Sequence, residues 1–266
     1  MLQLHMKKLF LVTAISIGLM STAQAYPHRH LHHHYHIIPP AFSTKSYLIA
    51  DIDGQILKEQ ESDRIRPIAS ISKLMLGLLV ADQDLDELLA IPKTRSVQSK
   101  IPYKTETLSR KELLTFALVR SDNFAAQILC INLPNCVEKM NAKAVELGMW
   151  DTHYVEPTGL SRENVSTAHD LMKLLMEAST HPILSEITSQ PNADISIGKH
   201  IIRINNTNPL TSKFKILLSK TGFTLPAGGC LAMIIESSVG QRIMIILGSK
   251  TGHSRIPDME KLISGL

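Results

Sequence analysis

The alternation of apolar and polar residues predicts strands at the two ends of the chain. Near the start, residues 47–50 and 55–57 flank Asp53-Gly54, a dipeptide typical of a hairpin turn. Near the end, short apolar runs predict three more strands, at residues 214–220, 230–236 and 242–248.

Between these strands the apolar residues recur with a helical period. Residues 70–80 are apolar on every side, which predicts a buried helix. Ser109 and Glu112 have the spacing of a capping box at the start of a second helix, and residues 167–170 open a third in the same manner. Residues 258–263 predict a last helix. This order indicates an α+β fold in which both chain ends build one antiparallel sheet and a helical lobe is inserted between them.

The N-terminus has the organisation of a Sec-type signal peptide. Two lysines precede an apolar run at residues 9–20, and Ala23-Gln24-Ala25 is a cleavage-site pattern. A membrane anchor needs about 20 apolar residues, and this run is shorter. We therefore expect residues 1–25 to be removed and the mature chain to be periplasmic, with no membrane span. Met6 would also make a typical start, so the true start codon stays open.

Residues 26–43 form a leader rich in histidine and proline. Six histidines lie between His28 and His36, and such a tract can bind transition metals. The sequence offers no second cluster of ligands, so we favour a flexible tail and expect neither a metal site nor a cofactor. Residues 44–266 are then long enough to form a single domain with its own core.

Charge and cysteine content narrow the class of protein further. The chain has 28 basic and 24 acidic residues, and no basic stripe is interleaved with aromatic residues, so we expect no nucleic-acid partner. Export permits disulfides. Cys130 and Cys136 are expected to pair, with two buried free thiols as the alternative, and Cys230 is expected to be a buried leftover thiol. The spacing of the three cysteines does not match a zinc site.

Three short motifs that can carry chemistry stand in order along the chain. They are S-x-x-K at residues 70–73, S-D-N at 121–123 and K-T-G at 220–222. Each motif alone arises often by chance. Together and in this order they are the set found in penicillin-binding proteins and class A β-lactamases.

The spacing of the first motif has a chemical reason. Positions i and i+3 share one face of a helix, so the amine of Lys73 can lie beside the hydroxyl of Ser70. A serine hydroxyl is a poor nucleophile until a base removes its proton. Lysine can be that base if burial or a second cation, for which Lys220 is the candidate, lowers its pKa. The alternative is a solvated lysine, which the apolar faces of this helix disfavour.

The other two motifs suit the remaining steps of such a reaction. Ser121 is expected at the end of the second helix, where its hydroxyl could relay a proton to a leaving amine. Asn123 could hold a substrate amide. Lys220 is expected at the end of a strand, where Gly222 would let a substrate backbone lie close to the strand edge.

With these motifs the chain resembles the low-molecular-mass penicillin-binding proteins, the S11-type D-alanyl-D-alanine peptidases. The resemblance covers about residues 45–250 and implies a fold of the serine β-lactamase/DD-peptidase type. It rests on the stretches RPIASISKLM (66–75), EPTGL (156–160), NVSTA (164–168), KTGFT (220–224) and AGGCL (227–231).

The resemblance also assigns roles to single residues. Ser70 is the acyl-ester nucleophile, Lys73 the proton acceptor and Ser121 the proton relay. The backbone N–H groups of Ser70 and Phe223 are candidate donors to an oxyanion. The residues implied to bind substrate are Asn123, Lys220, Thr221, Gly222, Phe223 and Thr224.

Within this family the chain is most similar to the D-alanyl-D-alanine endopeptidases of the penicillin-binding protein 7 type, which cleave D-alanyl–diaminopimelate cross-links. Family carboxypeptidases usually continue into a second β-rich domain and an amphipathic anchor, whereas this sequence ends one helix after its last predicted strand. Asp122 stands where this branch has glutamate. The resemblance implies peptidoglycan stem peptides as substrates and β-lactam antibiotics as covalent inhibitors. D-alanyl-D-alanine carboxypeptidase activity is the alternative.

Two more remote alternatives are a serine β-lactamase and a non-catalytic penicillin-binding or metal-buffering module. Class A lactamases deacylate with a glutamate in an E-x-x-L-N loop, but after Glu156 the leucine comes one position late, at Leu160. A module without activity would not need every chemical position, and all of them are present. The sequence indicates neither the oligomeric state nor partner enzymes.

Overall fold

The computed structural model describes residues 42–266. The predictions on the signal peptide and on the histidine tract lie outside these residues. Phe42 stacks on the ring of Tyr47, with ring centroids 6.5 Å apart. Ser43 donates its backbone N–H and its hydroxyl to the carboxylate of Asp258. Contacts with the domain therefore begin two residues before the predicted boundary at residue 44.

The described part of the chain contains eleven strands and seven α-helices. The strands are β1 (Ser46–Asp51), β2 (Ile56–Gln60), β3 (Arg66–Pro67), β4 (Leu88–Ala90), β5 (Thr107–Ser109), β6 (Val165–Ser166), β7 (Asn192–Ile197), β8 (His200–Asn205), β9 (Ile216–Thr224), β10 (Gly228–Ser237) and β11 (Gly240–Ser249). The helices are α1 (Ser72–Ala81), α2 (Arg110–Val119), α3 (Asn123–Ile131), α4 (Cys136–Glu146), α5 (Ala168–Ser179), α6 (Pro182–Ser189) and α7 (Arg255–Ile263). Across residues 42–266, no helix combines the length and the apolar character that crossing a bilayer requires.

The main sheet joins the two ends of the described chain. Its five strands are antiparallel in the order β2-β1-β11-β10-β9. The segment between β2 and β9 holds α1 to α6 and three short strand pairs, β3 with β6, β4 with β5, and β7 with β8. The predicted α+β arrangement is therefore confirmed. Because β9 is an edge strand, one of its sides stays open beside the helical lobe.

Both faces of this sheet are apolar, since successive side chains of a strand point to opposite faces. Leu48 and Ala50 face the helical lobe, together with Ala232 and Ile234. The alternate residues face α7 instead, where they form a second core. This second core comprises Tyr47, Ile49, Leu231, Met233, Met244, Met259 and Leu262, among others.

The capping box predicted at the start of α2 is confirmed. At the start of α5, only one of the two hydrogen bonds of such a box is present. The hydroxyl of Ser109 accepts from the N–H of Glu112, and the Glu112 carboxylate accepts from the N–H of Ser109. Thr167 likewise accepts from the N–H of Asp170. The Asp170 carboxylate, however, accepts from Asp151 N and from a neighbouring threonine, so it does not close a second capping box.

The cysteines behave as predicted. Cys130 and Cys136 form a disulfide that joins the end of α3 to the start of α4, with their Cα atoms 5.4 Å apart. Cys230 is a free thiol, buried in β10. Burial raises its pKa to about 11, so this thiol stays protonated at neutral pH and is a poor nucleophile.

Candidate active site

Ser70 lies in a tight turn that leads into α1. The turn is a 3₁₀ helix over Ala69–Ile71, and the α-helix begins at Ser72, two residues later than predicted. Ala69 has a φ of +48°, which is uncommon for a residue with a Cβ atom. The buried side chains of Ile68 and Ile71 hold the turn, while that of Ser70 stays partly exposed. The fold therefore presents the Ser70 hydroxyl at the surface of a packed core.

Lys73 is fully buried and its amine has three oxygen neighbours. Its Nζ lies 3.0 Å from Ser70 Oγ, 2.7 Å from Asn123 Oδ1 and 2.6 Å from the carbonyl oxygen of Thr158. The amide and carbonyl oxygens can only accept hydrogen bonds. A neutral amine has two N–H groups, which these two oxygens take up. Its lone pair is then left for the Ser70 hydroxyl proton, which is the arrangement that a general base requires.

Burial lowers the pKa of Lys73 from 10.5 to about 7, because the surrounding protein disfavours its charged form. The negative charges of Glu156 and Asp122 act in the opposite direction. The lowered pKa agrees with the prediction. Burial, one of the two causes that were predicted, produces the shift, whereas the other candidate, the charge of Lys220, does not contribute to it. About half of the Lys73 side chains are thus neutral at pH 7.

Ser121 and Asn123 flank the junction between α2 and α3. Ser121 follows the end of α2 with a φ of +60°, and its Oγ accepts from Lys220 Nζ at 3.0 Å. Asp122 between them is buried and caps α3 by accepting from Ala125 N. The same carboxylate accepts from Ser99 Oγ and from the N–H of the next residue. Asp122 therefore links the junction that carries Ser121 and Asn123 to a neighbouring loop and restricts the positions of both residues.

Lys220 lies in the middle of β9, so its predicted position at a strand end is wrong. The strand continues to Thr224 because Phe223 and Thr224 still pair with β10. Lys220 is buried, and burial lowers its pKa, helped by the charges of Lys73 and Arg255. The hydroxyl of Ser121 thus lies beside a second buried amine.

Packing requires a glycine at position 222, in addition to the predicted close approach of a substrate. A Cβ atom there would lie 2.8 Å from the Ile68 carbonyl oxygen and 3.0 Å from the Ser70 backbone nitrogen. The strand therefore packs its backbone directly on the turn that carries Ser70. The remaining residues predicted to bind substrate surround this contact. Thr221 donates to the Thr207 hydroxyl, Phe223 is 46% exposed, and Thr224 accepts from Ala227 N in the hairpin turn.

The loop at residues 154–161 was not predicted to touch Ser70 or Lys73. The Glu156 carboxylate accepts hydrogen bonds from Thr158, Gly159 and Ser161 within its own loop. This network directs the Thr158 carbonyl oxygen at Lys73. The EPTGL stretch was the only sequence signal for this contact, because a backbone carbonyl leaves no mark on residue type.

Arg255 is the second site residue that the sequence did not indicate. It begins α7, and its Nη1 donates to the carbonyl oxygen of Gly222 at 2.9 Å. Burial lowers its pKa as well. Lys220 lies in β9 and Arg255 binds the backbone of the same strand two residues further on, so this part of the site favours anionic groups. The helix that carries Arg255 contacts the site only because the last strand returns through the middle of the sheet.

Known proteins are similar to this chain in sequence and in fold. The family model described as D-alanyl-D-alanine carboxypeptidase, Peptidase_S11, matches residues 34–251. The chain is 40% identical over 239 residues to the D-alanyl-D-alanine endopeptidase of Escherichia coli, covering 84% of this chain and 77% of the relative. It is 38% identical over 233 residues to the protein of the same name from Pseudomonas aeruginosa, covering 82% and 75%.

Solved structures agree with these sequence relatives. Penicillin-binding protein D2 from Listeria monocytogenes, in its ampicillin-bound form, superposes with a TM-score of 0.76 at 32% identity, covering 84% of this chain and 96% of that one. The Streptomyces K15 DD-transpeptidase has a TM-score of 0.78 at 22% identity, covering 86% and 98%, which supports the fold alone. The chain therefore belongs to the S11 peptidases, the family described as D-alanyl-D-alanine carboxypeptidase.

Proposed function

We propose that the protein is a serine peptidase that hydrolyses D-alanyl bonds of peptidoglycan and prefers D-alanyl–diaminopimelate cross-links. The observation that carries this proposal is the buried amine of Lys73, held 3.0 Å from Ser70 Oγ by two acceptors. The preference for cross-links is supported by three relatives named endopeptidase, at 40%, 38% and 32% identity. Relatives named carboxypeptidase match at 30% and 26%.

Acylation starts when neutral Lys73 accepts the proton of the Ser70 hydroxyl. Ser70 Oγ then attacks the carbonyl carbon of the D-alanyl residue, and the resulting oxyanion accepts from the N–H groups of Ser70 and Phe223. Preorganised donors of this kind are each worth about 10²–10³ in rate. The carbon–nitrogen bond breaks as the proton held by Lys73 passes through the Ser121 hydroxyl to the leaving amine, which returns Lys73 to its neutral form. An ester on Ser70 remains.

Deacylation reverses this sequence with water in place of the amine. Water attacks the ester carbonyl carbon as its proton passes to Lys73, and Lys73 returns this proton to Ser70 Oγ when the carbon–oxygen bond of the ester breaks. A carboxylate on the leaving-group side binds near Arg255 and Lys220, and the bound anion favours the protonated form of Lys220. Asn123 and residues 221–224 line the substrate path along β9.

β-Lactam antibiotics are proposed to acylate Ser70 and to remain attached. The ampicillin-bound neighbour from Listeria monocytogenes supports this reaction. The Glu156 carboxylate already accepts several hydrogen bonds within its loop, so it is a poor candidate for activating a deacylating water. This engagement favours a peptidase over a β-lactamase. We further propose that residues 44–266 are the catalytic domain of a protein exported to the periplasm through the signal peptide at residues 1–25.

The test uses two purified substrates and one label. Cross-linked muropeptide dimers and pentapeptide monomers are incubated separately with the enzyme and with Ser70→Ala. We expect the wild-type enzyme to convert dimers to monomers and to release little free D-alanine from the pentapeptide. Fast release of D-alanine while dimers persist would identify a carboxypeptidase instead. With fluorescent penicillin, rapid turnover would indicate a lactamase, and no labelling would indicate a non-catalytic module.

A further inference from the structure

A cavity of about 440 Å³ lies beside the segment that leads to Ser70, at one end of the main sheet. Its volume is within the usual range for small-molecule sites. Four parts of the chain contribute its walls, which include Lys45, Arg66, Leu225, Gly228 and Lys250. Among its lining residues within 42–266 there are three cations and no carboxylate. No role in the proposed mechanism uses this cavity.

Two of the three cations carry charge that nearby groups leave uncompensated. Arg66 pairs with Glu61 and donates to the Ser46 hydroxyl. The buried carboxylate of Asp258 accepts from two serine hydroxyls that line the cavity, Ser43 and Ser249. Across the described residues, the exposed Lys45 and Lys250 form no ion pair. The cavity mouth is therefore positive.

The backbone holds the stem of Lys45 against the cavity wall. Gly248 has a φ of +74°, and a Cβ atom there would lie 3.2 Å from Cβ and from Cδ of Lys45. The Lys45 stem therefore lies flat on the Gly248 backbone, beside the point where Lys250 begins the next loop. Gly228 packs on the same segment, since its Cβ would lie 2.6 Å from the Ser249 carbonyl oxygen. This close packing restricts where the Lys45 amine can reach.

The direction of β9 relates the cavity to the scissile bond. In the proposed mechanism the leaving group lies toward Ser121 and Lys220, and Gly222 lies beside Ser70. The strand then runs away from the leaving group to Thr224, and Leu225, 91% exposed, follows at the cavity wall. Three residues of extended chain span about 10 Å. A peptide bound along this edge would thus extend its acyl side toward the cavity.

We propose that this cavity is a subsite for the free carboxylates of the stem peptide on the acyl side of the scissile bond. The proposal rests on the proposed peptidase function and adds a substrate class to it, an acidic peptide rather than any D-alanyl peptide. A carboxylate between the amines of Lys45 and Lys250 forms charge-assisted hydrogen bonds with both. The glutamyl and diaminopimelyl residues that precede D-alanine supply such carboxylates.

The test compares a cavity variant with a variant of equal charge. Lys45→Met/Lys250→Met removes both uncompensated cations, and Lys139→Met/Lys199→Met removes two exposed lysines outside the cavity. Each protein cleaves dimers with free carboxylates and dimers with amidated carboxylates, and kcat/KM is measured for both. The acylation rate with fluorescent penicillin, which lacks the stem peptide, reports on the catalytic groups alone.

We expect wild type and the charge-matched control to cleave the free-carboxylate dimers about tenfold faster than the amidated ones, equal to about 1.4 kcal/mol. The cavity variant should cleave both at the amidated rate, with penicillin acylation unchanged. An unchanged preference in the cavity variant, or no preference in wild type, would overturn the subsite. Failure of wild type to be acylated by penicillin would instead overturn the proposed function and the subsite with it.

Discussion

The protonation state of Lys73 offers the sharpest test of the site. With the ordinary lysine pKa of 10.5, about 0.03% of the side chains would be neutral at pH 7. Burial lowers the pKa to about 7, which raises the neutral fraction to about one half. The environment therefore increases the supply of general base about 1,500-fold at this pH. Below pH 7 the neutral fraction falls about tenfold for each pH unit.

The assay is the second-order rate constant for acylation by fluorescent penicillin between pH 5.5 and 9.5. We expect this rate to rise tenfold per pH unit at low pH and to level off above about pH 7. Lys73→Arg should be at least 100-fold slower at every pH, because a guanidinium group does not lose its proton in this range. A rate independent of pH, an inflection near pH 10, or an active Lys73→Arg enzyme would refute the reasoning.

The pH dependence of the free energy of unfolding tests the pKa of Lys73 independently of the acylation rate. The folded-state pKa of Lys73 lies below its unfolded value, so the native state binds fewer protons between about pH 7 and 10.5. The cost of burying this lysine is absent above pH 10.5, grows as the pH falls, and levels off below about pH 7. Lys73→Met should therefore be folded, inactive and more stable than wild type at neutral pH in urea unfolding. Equal stability of the two proteins would contradict a buried, neutral Lys73.

Three further outcomes are expected. Ser70→Ala should lose penicillin labelling and peptidase activity while its urea midpoint stays within the range of wild type, and stable covalent labelling of this variant would disprove the assignment. Thiol titration of denatured protein should find one free thiol, and three thiols in the wild-type protein would contradict the disulfide. Replacing Cys130 and Cys136 by serine should lower the free energy of unfolding by about 2 kcal/mol. Gly159→Ala should lower the acylation rate more than 100-fold, because its Cβ would lie 1.9 Å from the Ala69 carbonyl oxygen. The control Gly198→Ala, also at positive φ but with open space around it, should be acylated at the normal rate. Equal rates in the two variants would show that the clash is relieved.

Short sequence patterns predicted those strands, turns and helix starts that depend on neighbouring residues. The hairpin at Asp53-Gly54, the capping box of α2 and the apolar runs of β10 and β11 all depend on residues close together in sequence, and all are present. The β7–β8 hairpin was not predicted. Most of its residues are exposed, and Ile195 and Ile204 become buried only against the helical lobe.

The motifs likewise indicated which side chains could react, since Ser70 and Lys73 are three positions apart and one turn brings them together. The environment of these side chains depends on distant segments. The carbonyl oxygen of Thr158 and the amide of Asn123 reach Lys73 across 85 and 50 residues of sequence. Arg255 contacts the site through a helix that covers the opposite face of the sheet.

The sequence by itself therefore determined the strands at the two chain ends, the helices α1, α2 and α5, the candidate nucleophile with its candidate base, and the pairing of Cys130 with Cys136. Each of these follows from spacing or residue type within a short window. Only the tertiary structure decided the depth at which Lys73 is buried, which sets its pKa, and the position of Lys220 within an edge strand. Burial and strand pairing depend on which distant segments pack together, and no short window of sequence contains that information.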